Sequence, residues 1–155
     1  MKGEIEEPLC WHEWRLCPKQ VACYTGQASR RQALVFLALD LISGRVVAGH
    51  ELYEWVVSLG VRESDLAWFQ TRAIDLDLIG INLYPLFSEK RLVRTANGLR
   101  TRMRYASAGI IDRLSDLYWR RYRRPLFISE TASEGSVGRR AAWLEDSVDA
   151  VRRVR

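Results

Sequence analysis

The sequence predicts an α/β fold made of parallel strand–helix–strand units, and three observations predict it. Leu126-Phe127-Ile128 is a brief apolar run without helical spacing, cut from the helix before it by Pro125 and followed directly by Ser129, Glu130 and Thr131. That is how a strand buried on both faces reads. A second short apolar stretch, Asp77-Leu78-Ile79-Gly80-Ile81, runs into Asn82-Leu83-Tyr84-Pro85. An apolar helical stripe separates the two stretches and another follows the second. Strand and helix therefore alternate through the second half of the chain, which favours parallel pairing with right-handed crossovers.

Taken in order, residues 1–27 lack clear periodicity and contain Pro8, Pro18 and Gly26, so they are expected to form a poorly defined leader, mostly loop. One domain with one core is expected over 28–155. Residues 29–43 read as a strongly apolar helix (Ala33, Leu34, Phe36, Leu37, Leu41, Ile42), with Ser29 as N-cap and Gly44 as its stop. Residues 50–59 carry Leu52, Trp55, Val56 and Leu59 at helical spacing and end at Gly60. Ser64 and Asp65 are expected to start another short helix bearing Leu66, Trp68 and Phe69. The strand at 77–83 leads into a charged segment, 86–105, that contains Asn97-Gly98 and is expected to be a long loop; such loops are usually functional or mobile. A helix over 106–122 puts Ile110, Ile111, Leu114, Leu117 and Tyr118 on one stripe, and Pro125 separates it from the strand at 126–130. The last helix, 137–153, is expected to bury Ala141, Leu144, Val148 and Val151. Trp55, Trp68, Trp119 and Trp143 all fall in helices, where packing is the expected role; Trp11 and Trp14 lie in the leader.

Composition bounds the function classes. With 48% hydrophobic and 28% charged residues, the chain is globular rather than disordered. The acidic opening Met1-Lys2-Gly3-Glu4-Ile5-Glu6-Glu7 has no apolar core of the kind a secretory signal needs. No run of apolar residues is long enough to span a membrane, so the default expectation is cytoplasmic. The net charge of +5 comes almost wholly from arginine and raises nucleic-acid binding through Arg120, Arg121, Arg123 and Arg124, or through Arg100, Arg102 and Arg104. That reading is the weaker one. The first cluster closes a helix, where cations complement the dipole, and no stacking or zinc-finger pattern accompanies either. Cys10, His12, Cys17 and Cys23 lack the Cys-x-x-Cys pairing that structural zinc favours and read as free thiols in the leader.

Glu130 stands at the carboxyl end of its strand, where parallel α/β barrels carry their chemistry; its plain alternative is a helix-capping or solvated loop residue. The two strand motifs decide how it is read. Asp77–Pro85 and Pro125–Thr131 resemble the sixth and seventh strands of the retaining β-glycosidases of glycoside hydrolase family 1 and its clan. Those strands typically run Phe-Ile-Gly-Ile-Asn-Tyr-Tyr and Ile-Thr-Glu-Asn-Gly. The resemblance covers roughly residues 28–155 and is clearest over 77–85 and 125–147. It implies a partial (β/α)8 barrel, the units around strands 5 to 7, because a whole barrel takes about 250 residues and this chain has 155.

The activity so implied is hydrolysis of a β-glycoside with retention, with no metal or organic cofactor. Glu130 would be the nucleophile, Tyr84 would donate a hydrogen bond that keeps its carboxylate ionised and aimed, and Asn82 would orient substrate or the strand ends. The chain departs from the family in three places. Thr131-Ala132 stands for Asn-Gly, Leu83 for the first Tyr, and the acid/base motif Asn-Glu-Pro does not occur, Glu7-Pro8 being preceded by Glu6. A fragment or decayed gene product with little activity of its own is therefore expected, with uncovered strand edges inviting self-association. The competing reading is a non-catalytic, barrel-derived binding or scaffold protein.

Overall fold

The computed structural model describes residues 21–154. They form two compact units, one over 21–76 and one beginning at Asp77. Where the sequence suggested one core over 28–155, each unit gathers its own buried apolar cluster. Cys10, His12, Cys17, Trp11 and Trp14 lie outside the described residues, and of Cys23 only the backbone is described.

The first unit is helical. Helix α1 spans Val21–Ile42, so the expected start at Ser29 is corrected by eight residues, and 21–27 belong to a helix rather than to a loop leader. A capping side chain only biases where a helix begins, and propagation through helix-compatible residues outweighs it. The expected stop does hold. Gly44 turns left-handed at φ +67, and the Arg45 N–H returns to the Asp40 carbonyl at 2.7 Å, closing the helix as a Schellman turn does. Helices α2, Tyr53–Ser58, and α3, Glu63–Thr71, follow; Ser64 and Asp65 lie inside α3, after an N-cap at Arg62. Ala33, Val46, Leu52, Val56 and Leu66 make the buried cluster. Asp40 is fully buried and accepts from His50 Nε2 at 3.2 Å, while His50 Nδ1 accepts the Leu52 N–H at 3.1 Å. Both ring nitrogens are thus engaged, and the dyad ties α1 to the loop before α2.

The second unit is α/β. Strand β1, Ile79–Leu83, is followed by a single turn of helix, α4, Pro85–Ser88. The segment 86–105 is not a loop. It forms an antiparallel hairpin of β2, Glu89–Thr95, and β3, Gly98–Arg104, turning at Ala96-Asn97 with Gly98 at φ +105. The charge-rich composition hid it, although Asn-Gly between extended runs is a hairpin signal and the left-handed residue is the glycine. Helix α5, Gly109–Tyr122, closes on Arg123 in the left-handed region, then β4, Leu126–Thr131, and α6, Val137–Arg153, complete the order. Strands β1 and β4 pair in parallel, joined in sequence through the hairpin and α5.

Leu83, Ala106, Ile110, Ile111, Leu114, Trp143 and Ala150 form the core of this unit, with Leu117, Ile128 and Val151 packed against it. The expected α5 stripe is the buried one. Two expectations are corrected. First, β4 is not buried on both faces: Leu126 and Ile128 are half-buried, while Phe127 is 48% exposed across the ring from Gly80. Among the described residues, the helices cover one face of a two-stranded sheet and Phe127 lies on the other. Second, α6 buries Trp143, Ser147 and Ala150, leaving Leu144 and Val148 half exposed. The tryptophan pattern follows the same split. Trp143 is core, whereas Trp68 and Trp119 are half exposed beneath Arg72 at 4.8 Å and Arg123 at 5.7 Å.

Candidate functional site

The two strand motifs meet. Parallel pairing brings the carboxyl ends of β1 and β4 to the same edge of the sheet, with Asn82 opposite Glu130 and Leu83 opposite Thr131. The register up to that point matches Ile81 to Ile128, so the step to Asn82–Glu130 leaves Ser129 as an extra residue, a bulge at the strand end. Bulges re-aim side chains and gather beside functional sites. Without this one, the strict alternation of β4 would set Glu130 on the helix-covered face with Leu126 and Ile128. With it, Glu130 is exposed.

Three polar contacts organise the edge. Tyr84, the residue after β1, donates its phenol O–H to Glu130 Oε2 at 2.5 Å. This is the length of a strong, charge-assisted O–H···O⁻ bond. The same contact, ahead of desolvation and the carboxylate's charge, raises Tyr84 above the ordinary tyrosine range. Ser129 donates to Asn82 Oδ1 at 2.7 Å, joining the two strands one step below. Tyr84 itself caps α4, and its carbonyl accepts both the Ser88 N–H at 3.0 Å and the Ser88 hydroxyl at 2.7 Å, which fixes the backbone that carries the ring. Phe87 packs edge-on to the Tyr84 ring.

The three residues singled out in the sequence, Asn82, Tyr84 and Glu130, therefore share one strand edge. Six others were missed. Ser129, the extra residue of the bulge, bridges to Asn82, and that bulge carries no sequence signal. Thr131 accepts the indole N–H of Trp143 at 2.8 Å. Ser133, buried in the turn after β4, hydrogen-bonds the Tyr105 hydroxyl, and Arg139 lies 4.9 Å over the Tyr105 ring. No local pattern announced these pairs, because each joins residues far apart in the chain. Glu134, four residues beyond Glu130, is exposed in the turn, its carbonyl accepting from Ser133.

A groove of about 680 Å³ exists elsewhere in this unit, at the amino end of β4 between Trp119, Pro125, Leu126, Phe127 and Val151. Neither Tyr84 nor Glu130 lines it. Among the described residues, no three His, Cys, Asp or Glu side chains come together to hold a metal, and no helix is long and apolar enough to cross a membrane. No protein-family model, no curated protein and no solved structure matches this chain.

Proposed function

We propose that this chain carries the nucleophile side of a retaining β-glycosidase site, on a partial (β/α)8 framework. The observation behind this reading is the 2.5 Å bond from Tyr84 to Glu130 across the carboxyl ends of two parallel strands. A carboxylate that accepts a strong hydrogen bond is held pointed, as an attacking group must be. In the reaction, a Glu130 carboxylate oxygen bonds to the anomeric carbon as the bond to the leaving oxygen breaks. The leaving group departs with the electron pair, and a proton from a general acid neutralises it. Water then cleaves the glycosyl ester with the same proton donor acting as base; in such enzymes that second carboxyl stands about 5–5.5 Å from the first. Asn82, fixed by Ser129, offers its amide N–H₂ to a sugar hydroxyl on the same face.

Labelling with a 2-deoxy-2-fluoro β-glucoside bearing a dinitrophenolate leaving group tests the assignment. The leaving group needs no acid, and the fluorine slows hydrolysis of the ester. Expected is one adduct on the peptide containing Glu130, absent in Glu130→Gln. A label on Glu134, or none at saturating reagent, would reject Glu130 as a glycosidase nucleophile.

A further inference from the structure

Glu130 sits near the last residue of a strand with one pairing neighbour among the described residues, immediately after a bulge. Strand ends of two-stranded sheets have little to hold them, yet a reacting carboxylate must be kept within about 0.5 Å of its working position. Something other than the ladder must fix this end.

The core supplies it. Trp143 is 4% exposed and packs within the cluster that contains Leu83, Ile110 and Leu114. A buried indole carries one N–H donor that needs a partner, and here the partner is the Thr131 hydroxyl at 2.8 Å. Thr131 is covalently next to Glu130 and lies opposite Leu83, so the bond runs from the buried core of the unit to the neighbour of the residue that carries the carboxylate. Thr131 is also where the chain departs from the family's sequence, and threonine presents the acceptor from the strand itself. A second tie follows two residues on, where the Tyr105 hydroxyl meets Ser133.

We propose that Trp143 and Thr131 are positioning residues for Glu130: the indole N–H clamps the strand end and so holds the carboxylate against Tyr84. As an account of catalysis this rests on the glycosidase reading; as an account of geometry it does not. The test separates them. Thr131→Val keeps shape and removes the acceptor, Thr131→Ser keeps the acceptor, and Trp143→Phe removes the donor from the other side. The first readout is the ionisation of Tyr84, followed by NMR of ring-labelled tyrosine in the whole chain. Glu130→Gln sets the reference for a lost contact. Expected is that Thr131→Val and Trp143→Phe bring the Tyr84 titration down toward that reference, and that Thr131→Ser keeps it high. The second readout is the rate of the fluoroglucoside labelling, expected to fall on the order of 10- to 100-fold in Thr131→Val, as small misplacements of reacting groups do, and to recover in Thr131→Ser. A Tyr84 titration unmoved in both Thr131→Val and Trp143→Phe would overturn the clamp. So would a Thr131→Ser variant that behaves like the valine. If native protein takes no label while Tyr84 still responds to Thr131→Val, the glycosidase reading falls and the clamp stands.

Discussion

Replacing Leu83 by alanine tests the link between core and site most directly. Leu83 is 1% exposed, packs in the cluster with Leu114 and Trp143, and lies between Asn82 and Tyr84 in the chain. The substitution removes three carbons, about 2.4 kcal/mol at about 0.8 kcal/mol per buried CH₂. The cavity left behind adds to this, because its walls include strand backbone and an indole that cannot collapse freely. A loss of about 3–4 kcal/mol follows, within the usual range of about 2–5 for such sites. Against a total stability of about 5–15 kcal/mol that is a large fraction. With a urea slope of about 2 kcal/mol/M, the midpoint measured by circular dichroism should drop by about 1.5–2 M. Leu144, 49% exposed on α6, is the control; its alanine variant should stay within about 0.5 kcal/mol of native. A Leu83→Ala loss below about 1 kcal/mol, or an equal loss from Leu144→Ala, would refute the assignment of this core.

Gly44→Ala should destabilise the first unit by about 2–3 kcal/mol, since φ +67 costs an L-residue about 1–2 kcal/mol and the new Cβ would lie 2.7 Å from Ala73 Cβ. Gly49→Ala, at φ +93 with open space around it, should lose only the conformational part; equal urea midpoints would contradict the clash. Burial raises Tyr118 and the Glu130 contact raises Tyr84. A raised native value means stability that is complete below the unfolded tyrosine value of about 10 and is lost as pH rises through the native one. Tyr84→Phe should therefore flatten part of the alkaline loss in urea melts, and an unchanged profile would count against the contact. The sequence has no Asn-Glu-Pro, and general acid catalysis is worth about 10²–10⁴-fold. Hydrolysis should therefore be detectable only with activated aryl glycosides and vanish in Glu130→Gln; brisk turnover of an unactivated disaccharide would show that another residue of this chain donates the proton. The half-exposed Phe127, Leu144 and Val148 should promote self-association, seen by light scattering as a mass that rises with concentration and falls in Phe127→Ser; a monomer at every concentration would refute it.

What the sequence made legible is what local pattern determines. The α5 stripe, Ile110 to Tyr118, was read correctly because the hydrophobic period and the packing it drives are the same fact. The two short strands were found because Pro125 and the Asn82–Pro85 run bound apolar stretches too short for helices. The misses came where local pattern serves two outcomes. On α6 both candidate stripes contain apolar residues, and the buried one is the one whose Trp143 packs in the cluster with Leu83 and Leu114 and finds a partner for its N–H in Thr131. The hairpin was missed because its strands carry Lys90, Arg100, Arg102 and Arg104, charges that an exposed ribbon tolerates and a loop also shows.

The site was legible residue by residue but not as a geometry. Asn82, Tyr84 and Glu130 could be named from motif and strand position, since parallel neighbours put their carboxyl ends together. The bulge at Ser129 could not, and it decides on which face Glu130 emerges. Nor could the sequence show that Thr131, noticed only as a departure, is the acceptor for a buried indole twelve residues later. A strand end built this way makes the acidic residue depend on three separate supports: pairing with β1, the Tyr84 phenol, and the Trp143 clamp. Each support involves a different part of the unit, so each can be removed alone. A carboxylate that merely capped a helix or faced solvent would need none of them, and its Tyr84 partner would not respond to changes at Thr131.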